Sequence, residues 1–373
     1  MRRLIVIAAA ALAALALAPL ASAATYQIAV EAPLTGPQGA SGMDMLRGAR
    51  LAVREINQAG GVLGMKWTVV GYNDKADATT GVAVAKQILA SHVNAMIGPY
   101  NSSVGVKNLP MLVKGGVFPV QLTSTDDTSG LGATVQPKNS QISPAEVAWM
   151  KANKAGKVSI LWDPSTYTKG MADRMYKALN KMGVLVTKIQ IDPDATDYTD
   201  VVAQALTNNP DTVYVSTYYP QGALIAKALA AQAAQGNDAR CFMGLANQET
   251  AFITEAGVAA AHRCTFSGSP TPAQFGNAMS RSYMKAYTKL YGQAPGTWGI
   301  YYYDSVKLLA ASIEAAGTTE RDAFEAQFLH TTGYAGATGP ITIDPKTGNR
   351  PNVPVAILGV SKAGAFTLQS IHT

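Results

Sequence analysis

The sequence is short of charge, cysteine and histidine, and it lacks the common catalytic signatures. Asp, Glu, Lys and Arg make up only 14% of the 373 residues. The formal charge is +6, two of the positives being Arg2 and Arg3, and no block of like charge occurs. Nucleic-acid binders cluster Lys and Arg, so no nucleic-acid partner is expected. The four histidines, His92, His262, His330 and His372, share no metal-ligand spacing, and no cysteine or carboxylate cluster supports them. No metal is expected. There is no G-x-S-x-G elbow, no Walker loop and no G-x-G-x-x-G, which removes the usual signs of serine hydrolases and nucleotide enzymes. The chain therefore reads as a non-enzyme with no cofactor. Gly60-Gly61-Val62-Leu63-Gly64 is glycine-rich but follows a helix, where it serves as cap and turn. Asp126-Asp127 and the pair Asp192 and Asp194 read as solvated loops. Beyond residue 23 no apolar run approaches the length of about 18 residues that marks a membrane span.

What is present begins with a leader. Arg2 and Arg3 form a positive start, Leu4 to Leu20 is an uncharged apolar run, and Ala21-Ser22-Ala23 is an A-x-A cleavage site. Residues 1–23 read as a secretory signal peptide. The alternative is an uncleaved anchor, for which the run is nearly long enough. No cysteine lies near the cleavage site, which argues against a lipid anchor. An exported chain meets an oxidising compartment, where two cysteines favour a disulfide over a metal or redox pair. Cys241 and Cys264 each follow an arginine and each open an apolar stretch. If the two stretches are neighbouring parallel strands, the sulfurs start at the same end and can meet. Two buried free thiols are the alternative.

The remaining 48% of apolar residues suffice for a core of ordinary size, and the length suits two domains. Apolar runs alternate with helical periodicity from Tyr26 to Leu122 and again from Lys157 to Phe266. Strands alternating with helices of 10–15 residues mean βαβ units and parallel sheets. The pause between Thr123 and Lys157 implies two such sheets. Residues 272–330 break the rhythm and read as three helices, Phe275–Tyr291, Gly299–Ala316 and Arg321–Thr331, before short strands at Pro340–Ile343 and Val353–Val360.

In open parallel sheets ligands bind beyond the carboxyl ends of the strands. Hydroxyls gather there in the first half: Tyr100, Asn101, Ser102 and Ser103 after one strand, Thr123, Ser124 and Thr125 after another. Aromatics gather there in the second half, as Trp162, Tyr167, Tyr218 and Tyr219. Hydroxyls at a helix start suit an anion, and aromatic rings supply rigid walls. Each residue alone would read as a cap or a half-buried ring; the four placements together point to a binding cleft.

Several of these segments resemble the type I periplasmic solute-binding proteins of ABC transporters, in the leucine/isoleucine/valine-binding group. They are Leu34-Thr35-Gly36-Pro37, Arg47-Gly48-Ala49, Glu55-Ile56-Asn57-Gln58-Ala59-Gly60-Gly61-Val62, Ile97-Gly98-Pro99-Tyr100-Asn101-Ser102-Ser103, Tyr167-Thr168-Lys169-Gly170, Tyr218-Tyr219-Pro220 and Tyr302-Tyr303-Asp304. The resemblance covers residues 25–373. It implies an α/β fold of two doubly wound parallel-sheet lobes joined by three crossovers, near Ser143, Pro270 and Asp344. One lobe would hold residues 24–142 and 271–343, the other residues 143–270 and 344–373. It also implies a monomer in the periplasm that closes on its ligand by hinge motion and docks on a permease of the inner membrane.

The same resemblance implies a small-molecule carboxylate ligand held by Ser102 and Thr125, with Ser103, Thr123, Ser124 and Tyr100 alongside. Tyr167 and Tyr218 would close over it. Two positions depart from the family pattern. Ala246 stands where a carboxylate would meet an amino-acid ammonium, and Ser41 stands where an aromatic is expected. A buried ammonium without a partner is costly, so either Glu249 or Asp163 substitutes or the ligand carries no ammonium. The two changes enlarge the pocket, and Trp162 and Trp298 are candidates to line it, which fits a larger or aromatic acid. A ligand sensor of the same fold and a secreted hydrolase are the other classes weighed. No nucleophile–base pair supports the hydrolase.

Overall fold

Ile28, Val30 and Ala32 alternate along the first strand and face one apolar layer, while Ala29 faces another. Burial on both faces is what a parallel sheet covered by helices requires. The structure, a computed structural model, describes residues 25–373. The signal peptide expected over residues 1–23 lies outside the described residues.

The first series runs β1 (Thr25–Ala32), α1 (Gly39–Gln58), β2 (Lys66–Asn73), α2 (Ala78–Ala90), β3 (Ala95–Ile97), α3 (Ser102–Lys114), β4 (Phe118–Gln121) and β5 (Ala133–Thr134). Its strands form a parallel sheet in the order β2-β1-β3-β4-β5. Val84, Ile88 and Leu112 of α2 and α3 cover one face.

The second series runs α4 (Asn139–Ala152), β6 (Lys157–Trp162), α5 (Thr166–Lys181), β7 (Leu185–Gln190), α6 (Thr199–Leu206), β8 (Thr212–Ser216), α7 (Gln221–Ala233), β9 (Arg240–Met243), α8 (Thr250–Ala256), α9 (Val258–His262) and β10 (Cys264–Gly268). The chain then adds α10 (Pro272–Phe275), α11 (Ala278–Tyr291), α12 (Gly299–Ala316), α13 (Arg321–Leu329), the hairpin β11 (Tyr334–Gly336) and β12 (Gly339–Ile341), and finally β13 (Val355–Val360) and β14 (Phe366–His372). The second sheet has the order β14-β13-β10-β9-β8-β6-β7, with only β13 and β14 antiparallel to their neighbours. Cys241 and Cys264 are register partners on β9 and β10, their Cα atoms 4.5 Å apart, and they form a disulfide. This is the adjacency that the two Arg-Cys starts implied.

The helices between β10 and β13 return to the first sheet. Phe324 and Phe328 of α13 pack edge-on against Phe118 of β4, ring centroids 6.0 and 5.3 Å apart. Helix α12 lies along α1 so closely that a Cβ on Gly48 would fall 1.9 Å from the Gly299 carbonyl oxygen. Only glycine permits that approach.

The chain passes between the sheets over residues 135–138, 269–271 and 342–354. Arg350 in the third passage is 1% exposed. Its guanidinium donates to the carbonyls of Val135, Thr338 and Pro340 at 3.2, 2.9 and 2.9 Å, tying the third passage to the first. The strand–helix pattern leaves residues 123–157 without an element, and the family resemblance puts the first passage near Ser143. Ser143 instead lies inside α4, which packs on β13 and α5. Pro144 within that helix explains the difference, because proline mid-pattern reads as a breaker. Strand β14 was not expected either; its residues lie on an exposed antiparallel edge, where apolar patterning is weak.

Candidate ligand-binding cleft

Strand β3 ends at Ile97 and the chain turns through a cis Gly98–Pro99 bond. Gly98 has φ +105°, and a Cβ there would fall 2.1 Å from the Glu31 carbonyl oxygen. This turn delivers Tyr100 to the cleft and Ser102 to the first residue of α3. Strand β4 delivers Leu122 and Ser124. From the second sheet, β6 leads to Tyr167 on α5, β8 to Tyr218 and β9 to Leu245 and Ala246. These eight residues line one narrow cavity between the two sheets, with about 10 Å³ of free volume.

The first side of the cavity is polar and pre-set. Ser102 Oγ accepts the Thr125 N–H at 3.1 Å, and Ser124 Oγ accepts from Gln136 Nε2 at 3.1 Å. Neither hydroxyl donates to a described residue, so each keeps its proton for a ligand. The second side is aromatic and aliphatic. The rings of Tyr167 and Tyr218 meet edge-on at 5.6 Å. Desolvation holds both phenols protonated, far above their ordinary range. The Tyr167 hydroxyl is buried and has no hydrogen-bond partner among the described residues.

The other residues singled out from the sequence do not line this cavity. Ser103 Oγ accepts the Thr166 N–H at 3.0 Å and so bridges α3 to α5 across the cleft. Thr123 is fully buried behind the first side, its hydroxyl shared with Gln121 and Thr128. Thr125 meets Ser102 through its backbone, while its Oγ1 accepts from Asp127 N–H at 3.4 Å to cap the turn Asp126–Thr128. Its side chain is therefore spent on its own loop. Trp162 lies beneath the Lys188 ammonium, 4.8 Å from the ring centroid. Trp298 stacks obliquely on Tyr100 at 5.4 Å and turns its Nε1 to Glu249. Leu122 and Leu245 were not singled out, because a leucine at a strand end carries no chemical signal.

Ala246 leaves no carboxylate among the lining residues. The two acids considered as substitutes are engaged. Glu249 Oε1 accepts from Ser41 Oγ at 2.7 Å and from Trp298 Nε1 at 2.8 Å, a second bridge across the cleft. Burial pushes this carboxyl up to about 7, the two donors opposing the shift. Asp163 Oδ1 accepts the Ser165 N–H at 2.9 Å and the Thr168 hydroxyl at 2.8 Å. Among the described residues no cluster of three or more His, Cys, Asp or Glu could hold a metal. A wider concavity, about 570 Å³, lies around Trp149, Arg240 and Arg263 at the amino ends of β9 and β10. It is a surface hollow whose arginines pair with Asp211 and Asp238.

Two wound sheets with their carboxyl strand ends converging on one cleft are the architecture of a bilobed solute-binding protein. The chain belongs to the periplasmic binding protein family, whose model matches residues 25–365. It is of the type that serves branched-chain amino acid ABC transporters. It is 32% identical over 319 residues to the Leu/Ile/Val-binding protein BraC3 of Rhizobium johnstonii, covering 83% of this chain and 84% of that one. A leucine-binding protein from Thermotoga maritima has the same fold, with a TM-score of 0.84 and 23% identity over 93% of this chain and 98% of that one. So does an ABC-transporter solute-binding protein from Rhodopseudomonas palustris in complex with 3,4-dihydroxybenzoic acid, with a TM-score of 0.82 and 19% identity over 93% and 97%.

Proposed function

We propose that this chain is an exported solute receptor that hands its ligand to an inner-membrane ABC permease. Its solute is a small carboxylate without an α-ammonium, anchored by Ser102 and Ser124 and covered by Tyr167 and Tyr218. The observation that carries this reading is the makeup of the cavity, which has two serine hydroxyls and no carboxylate among its eight lining residues. A carboxylate needs only donors, and the hydroxyls and the start of α3 supply them. An ammonium taken out of water needs acceptors, and both nearby acids already hold other donors. Leu122, Leu245 and the rings suit an aliphatic or aromatic body, in line with the dihydroxybenzoate bound by the R. palustris neighbour.

A second reading, a branched-chain amino acid, is favoured by the name of the 32% identical relative. It requires an acceptor that the eight lining residues do not supply, such as the second carboxylate oxygen of Glu249, whose Oε1 holds Ser41 and Trp298. A thermal-shift screen over amino acids, 2-oxo acids and aromatic acids separates the two. A ligand at 100 times its dissociation constant stabilises by about 2.7 kcal/mol. The expected result is a rise with a 2-oxo or aromatic acid. A rise with leucine, isoleucine or valine alone overturns the reading.

A further inference from the structure

Lys138, in the first passage between the sheets, is a buried cation with no ion-pair partner among the described residues. It is 1% exposed. Its ammonium donates to three uncharged oxygens: the Thr123 carbonyl at 2.9 Å, Thr128 Oγ1 at 2.8 Å and Gln121 Oε1 at 3.2 Å. The acid closest in effect, Asp126, is held by Arg174 at 2.6 Å and by the Ser140 hydroxyl. A charge kept out of water without a counter-ion is expensive, so either it is spent on structure or something else supplies the negative charge.

The location points to the second. Thr123 precedes Ser124, and Ser124 lines the cavity. The peptide joining them is trans, since the cis bonds are Gly98–Pro99 and Tyr219–Pro220. In a trans peptide the C=O and the following N–H point in opposite directions. With the Thr123 carbonyl turned to Lys138, the Ser124 N–H is turned to the far side of the loop. That amide has no acceptor among the described residues. Two neighbours of Lys138 grip the same loop: Gln136 Nε2 donates to Ser124 Oγ at 3.1 Å, and the Asn139 N–H donates to the Ser124 carbonyl at 2.6 Å.

We propose that Lys138 is a specificity-determining positioning residue. Through the Thr123 carbonyl it holds the Ser124 amide and hydroxyl toward the ligand carboxylate, and its charge selects an anion over a neutral isostere. The inference rests on the carboxylate reading above. Desolvation would push the Lys138 ammonium down to about 7; an anion on the far side of one peptide supplies the opposite charge that the protein withholds.

The test is calorimetry at one pH with benzoate, 3,4-dihydroxybenzoate and 4-methyl-2-oxopentanoate, each beside its primary amide. The proteins are wild type, Lys138→Met and Lys138→Gln, the last keeping a donor to Thr123 should the methionine variant fail to fold. Loss of one unit charge at low effective dielectric should weaken the best-bound acid by about ten-fold or more while its amide changes little. Equal losses for acid and amide would assign Lys138 a merely structural role and overturn the proposal, as would unchanged acid affinity in both variants. If wild type binds none of the acids but binds leucine, the reading of a carboxylate without an α-ammonium fails and the proposal, which rests on it, falls with it.

Discussion

The two sides of the cleft are built from the same kind of strand end, yet they carry opposite chemistry. On the first side, Ser102 at the start of α3 is held by the Thr125 N–H, and Ser124 after β4 sits in a loop held by Gln136, Lys138 and Asn139. On the second, Tyr167, Tyr218, Leu245 and Ala246 offer rings and aliphatic surface, and the Tyr167 hydroxyl has no partner among the described residues. A donor set fixed before the ligand arrives loses little entropy on binding, so it can anchor a charge. An apolar wall adds area but little direction. The first side should set which charge is accepted, and the second how large a body fits. The second sheet is also the stapled one, with Cys241–Cys264 joining two of its central strands.

That contrast can be broken, beginning with the largest expected effect. Replacing both cysteines by alanine removes a link that spans 23 residues. The loss should be about 3 kcal/mol on the chain-entropy account, seen as a lower midpoint in urea. An unchanged midpoint would mean the staple adds nothing beyond strand pairing.

Next comes Ser102→Ala on the anchoring side. Removing a hydrogen bond to a charged group costs about 1.5–3 kcal/mol, so the best-bound acid in calorimetry should weaken about 10- to 150-fold. On the covering side, Tyr167→Phe deletes only a hydroxyl with no hydrogen-bond partner among the described residues. Its effect should stay within about 1.5 kcal/mol, the scale of one neutral hydrogen bond. Equal losses from the two substitutions would erase the division of labour.

The bridge between the sides has its own signature. Glu249 is raised from the ordinary 4.5 to about 7, so the folded chain binds more protons there than the unfolded chain between those values. Stability should therefore fall as pH rises from about 4.5 to 7, with a slope of at most about 1.4 kcal/mol per pH unit for one such group. Glu146 and Asp74 are raised to about 7 by burial as well and add to the same decline. Glu249→Gln should remove one proton's share of the slope. Denaturant titrations at pH 5, 6 and 7 would read it, and an identical slope in the variant would show that Glu249 does not titrate there.

The alternation of strand and helix was legible because parallel strands buried on both faces leave near-continuous apolar runs. The cysteine pairing was legible because both cysteines open such runs. Five of the cavity's eight residues stand out in sequence because polar and aromatic groups just past a strand end have few other reasons to be there; Ala246 is found only through the family resemblance. What stayed hidden depends on where a side chain turns. Thr125 and Ser102 look alike in sequence, but Thr125 caps its own turn while Ser102 faces the cavity. Trp162 ends a strand like its neighbours, but it packs beneath Lys188. The sequence offers Glu249 or Asp163 as a substitute ammonium acceptor, but the engagement of Glu249 with Ser41 and Trp298 joins residues more than 200 positions apart in one case, which no local pattern reveals. Helix α4 was masked by Pro144.

The most direct measurement compares leucine with 4-methyl-2-oxopentanoate, which keeps the side chain and carboxylate but replaces the ammonium with a keto oxygen. Calorimetry on wild type and on Ala246→Glu gives four affinities. If the cavity takes a carboxylate without an ammonium, wild type should bind the 2-oxo acid about 100-fold or more tightly than leucine, as an unpaired buried ammonium demands, and Ala246→Glu should narrow or reverse that ratio. Tight leucine binding by wild type, undiminished by Glu249→Gln, would contradict the account.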